Sequence, residues 1–455
     1  MAIKGTDVVK KLPEAGKKNC KECGFPTCFA FAMKLASGGT TLEKCPYLSA
    51  EVRAALEDAL APAIKLVTIG SGKNALQIGN EEVVYRHEKA FIHPTGIALL
   101  VADSDSDAVV EQKIKRIKEL QFERVGLTLK ADLLALNFAS GDKAKFLGLV
   151  KKVCSDTDVG LILISEDLDA LFAARDICGD RKPLLYPITR ENIDQAIPRI
   201  KQSPAPLGVK AASVEELIPL TSRLKAEKLD DLVLDPGSRN LMEGIRDQTL
   251  IRRAAVKQGF RPLGYPTIAF PCFMTRDGLE ESLIAAAFIV KYASIAVLSD
   301  LDKHTLLPLL LERLNIYTDP RMPLSVEEKF YEIGNPNQDS PVLITSNWAL
   351  TYFIVSSEVE SSRVPSFLCV KNTEGLGVLT GWAAGKFTGD SIGPFIKRCG
   401  IEQRTKTRTL VIPGRVARIK GELEEALPGW KIVVGPREAS EIPAFLPGFA
   451  ASLRQ

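Results

Sequence analysis

The sequence predicts an α/β protein in three parts: a small cysteine-rich N-terminal domain, a central TIM-like (β/α)8 barrel, and a C-terminal Rossmann-like open α/β sheet. Three observations carry this. Four of the nine cysteines fall between positions 20 and 45. From residue 95 to 318, short apolar runs alternate with helical stretches at spacings of roughly 20–35 residues, the length of a strand–helix unit. From residue 326 to 455 a second, shorter strand–helix series begins. Residues 61–94 read as a linker or β arm between the first part, 1–60, and the barrel.

In the first part, residues 27–36 are helix-forming and stop at Gly38-Gly39, with Pro26 suited to the first turn. A second helix over 49–60 ends before Pro62. In the arm, Ile64–Ile69 and Val83–Tyr85 read as strands, with Gly70, Gly72 and Gly79 as turn signals. Nine barrel runs follow, at Ile97–Ala102, Arg124–Leu129, Leu133–Leu136, Val159–Ile164, Pro183–Ile188, Gly208–Ala211, Leu232–Asp235, Thr267–Phe270 and Ile295–Leu298. Continuous apolar strands of this kind belong to parallel sheets covered on both faces. An open doubly wound sheet is the competing architecture. Asp319-Pro320 to Pro323 marks a linker. The last part has strands at 341–345, 366–370, 409–413 and 431–435 and helices at 348–358, 389–398, 415–426 and 438–445.

Composition excludes several classes. With 45% hydrophobic and 25% charged residues among 455, the chain is an ordinary globular one. A net charge of +3, from 59 basic and 56 acidic side chains, lacks the basic bias of a nucleic-acid binder. Met1-Ala2-Ile3-Lys4 opens no secretory signal, and no run reaches the ~18 apolar residues of a membrane span, so a cytoplasmic protein with reduced thiols is expected. Nine cysteines, an odd number, argue against a fully paired disulfide framework. Three histidines leave little for imidazole metal chemistry.

The cysteine cluster reads Cys20-x2-Cys23-x4-Cys28-x16-Cys45. Structural zinc prefers two short knuckles, and the second is missing here. An iron–sulfur cluster needs one thiolate per iron corner and accepts one distant ligand, so a [4Fe-4S] cluster is favoured over zinc and over unbound thiols. Cys28 in a first helical turn would meet the positive end of the helix dipole. Lys17, Lys18 and Lys21 add positive charge or form a solvated face, and Gly24 permits a chain reversal. Cys154, Cys178, Cys272, Cys369 and Cys399 read as small buried hydrophobes.

The segment Cys20-Lys-Glu-Cys23-Gly-Phe-Pro-Thr-Cys28-Phe-Ala-Phe-Ala-Met-Lys-Leu-Ala, with Cys45-Pro46, resembles the cluster domain of the large (gamma) subunits of corrinoid iron–sulfur proteins, of the acetyl-CoA synthase/carbon monoxide dehydrogenase system. The four-cysteine pattern alone occurs in other redox proteins. The segments from Thr345 to Thr351 and from Asn372 to Val378, with length and three-part order, extend the resemblance along the whole chain. It implies a methyl carrier rather than a stand-alone enzyme. A corrinoid (cobamide) in the C-terminal domain takes a methyl group, as Co(I), from methyltetrahydrofolate on a separate methyltransferase. It delivers the methyl as methyl-Co(III) to acetyl-CoA synthase, and the cluster returns Co(II) to Co(I). A small (delta) subunit is implied as heterodimer partner, with no nucleic acid and no membrane.

The residues themselves are permissive. His87, His93 and His304 all precede the last domain, and its Asp-x-His-x-x-Gly loop is absent, so a corrinoid there would be base-off. Polar strand-end loops supply the candidate contacts: Thr345, Ser346, Asn347 and Thr351 after one strand; Val370, Asn372, Thr373, Glu374, Gly375, Leu376 and Gly377 after the next; then Gly414, Gly435 and Pro436. The same residues also read as helix caps and turns. Asp235-Pro236-Gly237-Ser238 could be a binding loop in the barrel, but no acid–base constellation accompanies it, which favours a scaffold. The alternative function is an iron–sulfur electron-transfer subunit fused to a catalytic barrel without corrinoid, with a nucleotide in the last sheet. No Gly-x-Gly-x-x-Gly supports that. A structural, zinc-binding subunit fits the cysteine spacing poorly.

Overall fold

The protein is described by a computed structural model covering residues 5–37, 39–124 and 127–453. The helix stop read at Gly38, the opening Met1–Lys4 and the middle of the Arg124–Leu129 run, Val125 and Gly126, lie outside the described residues. The chain divides into two compact units. One holds the chain up to Phe122 and Lys130–Tyr317; the other holds Glu123–Leu129 and the chain from Thr318 onward.

The first unit starts with helices α1 (Gly5–Lys11), α2 (Cys28–Ala36) and α3 (Ala50–Leu60). Thr27 caps α2, its hydroxyl accepting from Ala30 N at 3.0 Å, and Ser49 caps α3 in the same way at 3.2 Å. Pro26 therefore lies before the cap and not in the first turn. Val8, Leu12, Phe31, Leu35 and Leu56 form this region's own core.

The arm pairs β1 (Val67–Ile69) antiparallel with β2 (Leu76–Ile78). It is more than a connector. Val67, Ile69 and Ile78 are buried among barrel residues Ala98, Leu133 and Ile162. A Cβ on Gly96, the first residue of its strand, would lie 2.4 Å from Leu76 Cδ2, so glycine there lets the arm plug the barrel's N-terminal end. Val83–Tyr85, expected as a strand, is not one. Its backbone is claimed by a side chain, since Val83 O accepts from Arg252 Nε at 2.8 Å, and Arg252 also pairs with Glu81 at 2.8 Å.

The next stretch of chain carries β3 (Gly96–Ala102), α4 (Asp107–Glu119), β4 (Gln121–Arg124), β5 (Leu127–Lys130), β6 (Leu133–Asn137), α5 (Lys143–Asp156), β7 (Gly160–Ile164), α6 (Leu168–Cys178), β8 (Leu184–Ile188), α7 (Ile193–Gln202), β9 (Leu207–Lys210), α8 (Val214–Ala226), β10 (Leu232–Asp235), α9 (Leu241–Gln258), β11 (Ile268–Ala269), α10 (Gly278–Val290), β12 (Ile295–Leu298) and α11 (Lys303–Tyr317), all but β4 and β5 belonging to the barrel. Eight strands run in the order β10-β9-β8-β7-β6-β3-β12-β11, all parallel. The parallel bridge Leu234↔Thr267, with Leu234 N donating to Pro266 O at 2.8 Å, joins the first of these to the last and closes the barrel. Closure decides against the open doubly wound sheet. The Arg124–Leu129 run is the exception. Its residues contribute to β4 and β5, a separate two-stranded sheet whose side chains are largely exposed, Leu127 by 48%, so it cannot serve in a wall buried on both faces.

The second unit carries β13 (Phe330–Ile333), β14 (Val342–Ser346), α12 (Ala349–Ser361), β15 (Ser366–Lys371), α13 (Val378–Ala383), α14 (Gly389–Arg398), β16 (Thr409–Ile412), α15 (Lys420–Ala426), β17 (Lys431–Val434) and α16 (Ile442–Ser452). The sheet order is β13-β15-β14-β16-β17, with only β13 antiparallel. Alternate residues of each strand divide between two cores. Ile344, Phe367, Cys369 and Ile412 face one; Leu343, Leu368, Val370 and Val411 face the other. The edge strand β13 and the one-and-a-half-turn α13 have no counterpart in the sequence reading. Arg124, from the hairpin grouped with this unit, places its guanidinium 4.8 Å from the Phe353 ring centroid.

Both members of the Glu81–Arg252 pair are 7% exposed. Arg252→Leu leaves the buried Glu81 carboxylate with the amides of Ile92 and His93 but no counter-charge and should cost about 3–5 kcal/mol, read from urea unfolding, whereas the Glu81→Gln/Arg252→Leu double variant, which removes the charge and keeps an acceptor for those amides, should regain part of it.

Candidate functional sites

The first candidate site is the cysteine nest. Three residues with positive φ, Asn19 (42°), Lys21 (67°) and Gly24 (81°), bend the loop around it. Asn19 Oδ1 accepts from Cys28 N at 2.8 Å and Gly24 N donates to Lys21 O at 2.9 Å, which fixes Cys20, Cys23 and Cys28 relative to the start of α2. Cys45 follows a short 3-10 turn, its N–H donating to Leu42 O at 3.1 Å, and is buried in the core of the cysteine-rich region. The other three thiols are half-exposed. Burial pushes the Cys45 thiol up, and Cys23, Cys20 and Cys28 push it the same way, so the four sulfurs lie within electrostatic reach of one another. Among the described residues, no three His, Cys, Asp or Glu side chains draw together tightly enough to hold a single ion. Tyr47 stands beside the nest, its hydroxyl donating to Glu22 at 2.6 Å and its ring lying 3.4 Å from Lys18 Nζ.

The second candidate site is a cavity of about 410 Å³ at the C-terminal ends of β14 and β16. The chain leaves β14 for β15 on one side and later returns to β16 on the other, which makes this the topological switch point where open α/β sheets bind ligands. Leu343, Ile344, Val411 and Ile412 form an apolar floor; Arg415, Arg437 and Glu438 line the rim, with Arg415 and Glu438 paired.

Five predicted residues line this cavity: Thr345, Thr351, Gly377, Gly435 and Pro436. Thr345 is 1% exposed and its hydroxyl has no hydrogen-bond partner among the described residues; Ser346, 0% exposed, is in the same state. A buried hydroxyl is costly to leave unpaired, and that of Thr345, in the cavity wall, fits a ligand with polar groups of its own; Ser346, the next residue along β14 and so directed to the other side of the sheet, does not line the cavity. Asn347 does other work. Its Oδ1 accepts from Thr373 N at 2.9 Å and Gly375 N at 3.1 Å, and its Nδ2 donates to Asn372 Oδ1 at 3.1 Å. Asn347, Asn372, Thr373 and Gly375 thus hold one another. Thr373 Oγ1 donates to Leu376 O at 2.6 Å, and Glu374 pairs with Lys386. Gly375, at φ 74°, packs against Pro323, so its glycine character serves the turn. Val370 is sealed in the apolar core, and Gly414 N donates to Pro436 O at 2.8 Å, bringing two rim loops together.

The sequence reading missed Trp348, Ile354, Leu379, Arg415 and Arg437, all of which line the cavity. Two signals pointed there. Trp348, Thr351 and Val355 lie one helical turn apart behind a strand end, and each arginine directly follows the loop residues already singled out. At the barrel's strand ends, Asp235 is already occupied. Tyr186 Oη donates to its Oδ2 at 2.6 Å, Arg239 donates to the same oxygen at 2.8 Å, and Gly237 N donates to its Oδ1 at 2.8 Å.

A four-cysteine nest, a closed barrel and a switch-point cavity with an unpaired buried hydroxyl in its wall define a cofactor-binding class of α/β protein. The comparisons with known proteins name the family. The family described as CO dehydrogenase/acetyl-CoA synthase delta subunit matches residues 66–446, and an Fe-S cluster family matches residues 16–47. The chain is 43% identical over 445 residues to the corrinoid/iron-sulfur protein large subunit of Moorella thermoacetica, covering 98% of each. It is 37% identical to the acetyl-CoA decarbonylase/synthase complex subunit gamma of Methanopyrus kandleri, over 98% of this chain and 97% of that protein. With the gamma subunit of Methanothermobacter thermautotrophicus it shares 35% identity over 99% and 100%. The chain belongs to the corrinoid/iron-sulfur large-subunit family, whose archaeal members are the gamma subunits.

The cavity-side loop has a titratable anchor. Glu328 accepts from Lys371 Nζ at 2.5 Å, Asn372 N at 2.9 Å and Arg398 at 2.6 Å. Burial opposes its charge, but these donors outweigh burial and hold it below its ordinary 4.5. A carboxyl lowered on folding stabilises fully above its unfolded value and loses that contribution as pH falls through its folded value. The urea midpoint of the C-terminal unit should therefore drop between about pH 5 and pH 3, and Glu328→Gln should flatten that drop.

Proposed function

We propose that this chain is the corrinoid-bearing methyl carrier of its acetyl-CoA synthase system, with an iron–sulfur cluster that restores the carrier after accidental oxidation. The observation that carries the reading is the buried, unpartnered hydroxyl of Thr345 in the wall of the switch-point cavity.

When bound, the corrinoid supplies a cobalt that accepts and releases a methyl group, and the cluster supplies single electrons. The chain's own residues do the rest. Cys20, Cys23, Cys28 and Cys45 hold a [4Fe-4S] cluster, with Cys45 anchored in the core and the other three thiols toward solvent, where an electron can enter. Thr345 and Thr351 offer hydroxyls to the corrinoid's polar groups, and Gly377, Gly435 and Pro436 let its bulk approach the backbone. The apolar floor suits an unligated nucleotide base, and Arg415 and Arg437 suit the phosphodiester that carries it. Asn347, Asn372, Thr373, Glu374, Gly375, Leu376 and Gly414 shape the loops. The second unit contains no histidine, so none of its residues could offer a cobalt an imidazole ligand, which supports base-off binding of a corrinoid there. The barrel serves as scaffold, consistent with an Asp235 whose acceptors are already engaged.

The partners in this reading are a small (delta) subunit as heterodimer, a methyltetrahydrofolate methyltransferase and acetyl-CoA synthase, in the cytoplasm. Among the described residues no helix is long and apolar enough to cross a membrane.

Metal analysis of the purified protein should find iron, sulfide and cobalt; one equivalent of zinc and no cobalt would overturn the reading. Cys→Ala at position 20, 23, 28 or 45 should abolish reductive reactivation while cobalt is retained and the reduced form still takes methyl. Thr345→Val should leave urea stability within about 0.5 kcal/mol, since the hydroxyl has no protein partner to lose, yet weaken corrinoid retention roughly 5- to 10-fold in equilibrium dialysis.

A further inference from the structure

Two cysteines outside both candidate sites are arranged for chemistry. Cys154 sits in the last turn of α5 and Cys178 ends α6, the neighbouring barrel helix. Their Sγ atoms are 3.7 Å apart. We propose that Cys154 and Cys178 form a redox modification site that closes to a disulfide when the protein meets a peroxide.

Four features of the site support this. The sulfurs are already in contact and the two helices pack directly against each other, so a small rotation of the side chains brings them to bonding distance. Arg181 is locked beside them, donating to the carbonyls of Cys154 at 3.2 Å, Thr157 at 2.9 Å and Val159 at 2.5 Å, which keeps a fixed positive charge next to a developing thiolate. Access is unequal. Cys154 is half-exposed, whereas Cys178 is 4% exposed and is reached only through its neighbour. The hydrogen bond with Cys178 brings the Cys154 thiol down to about 7, burial opposing and Arg181 assisting, while the same bond and burial push Cys178 up. One sulfur is thus the attacking group and the other the resolving group.

The chemistry balances with a peroxide as oxidant. The Cys154 thiolate attacks one peroxide oxygen, the O–O bond breaks, and hydroxide leaves and takes up the proton that Cys154 released. Cys154 becomes a sulfenic acid. The Cys178 sulfur then attacks that sulfur; the S–S bond forms, the S–O bond breaks, and water leaves with the Cys178 proton. Two thiols lose two electrons in total, and one hydrogen peroxide becomes two waters.

Trypsin separates the two cysteines, since it cuts after Lys152, Arg175 and Arg181. The holoprotein, purified without oxygen, is treated with a small excess of hydrogen peroxide, alkylated, digested and examined by non-reducing mass spectrometry. The expected result is that Val153–Arg175 and Asp176–Arg181 appear as one linked species in more than half of the chains and separate with dithiothreitol. If both cysteines remain alkylated and unlinked, the proposal is overturned. In Cys178→Ser, dimedone should trap a sulfenic acid on Cys154. In Cys154→Ser, Cys178 should stay unmodified, and a dimedone adduct on Cys178 there would overturn the assignment of roles.

Discussion

The two large sheets of this protein are built from parallel strands, the edge strand β13 excepted, and that constraint sets everything else. A parallel strand is buried on both faces, so its side chains must be apolar along the whole run. In β7 and β15 every residue is buried. Polar groups are thereby expelled to the strand ends, and the loops beyond the C-terminal ends become the places where chemistry can be assembled. The barrel and the open sheet obey the same rule but use it differently. The barrel fills its strand ends with its own ion pairs; the open sheet keeps a crevice where its strand order reverses.

The loop beside that crevice stays in place through one carboxamide and one carboxylate. Asn347 binds two backbone amides from the 372–375 stretch, and Glu328 binds a third, that of Asn372. Few apolar contacts are available to an exposed turn, so directional bonds to main-chain donors must supply its order. This is why residues that look like ligand contacts in the sequence behave as framework. A strand-end asparagine can satisfy a loop or a ligand, and here its acceptor is spent on the loop.

Much of the architecture was legible because burial writes a strong pattern. The eight barrel runs, the helices 389–398 and 49–60, and the open sheet's four parallel strands all carry it. What escaped was weakly patterned. β13 is an edge strand with half-exposed Phe330, Tyr331 and Ile333, and α13 is six residues long, too short for a helical period. The Arg124–Leu129 run has strand-like composition, but nothing local says that its side chains stay exposed. Val83–Tyr85 was lost to Arg252, 169 residues away in sequence, an interaction no window could contain. At the cavity, backbone-linked positions such as Thr345 and Gly435 were visible as strand ends. The wall residues Ile354 and Leu379 were indistinguishable from ordinary core residues.

The two sets of strand ends differ in one physical respect that decides between them. In the barrel, Asp235 accepts from a tyrosine, an arginine and a backbone amide, and the Arg239 guanidinium lies 5.1 Å from the Phe270 ring centroid. Such a network is worth most when complete, and a ligand entering it would have to break charged hydrogen bonds before making its own. In the open sheet, the Thr345 hydroxyl in the cavity wall is desolvated with no compensating bond. Folding has met its desolvation cost in advance, so a ligand that reached it would gain a hydrogen bond without displacing one. Of the two sets of strand ends, the open sheet's is therefore the one left unfinished, and the same reasoning explains why a barrel closed by its own side chains can be kept as a frame.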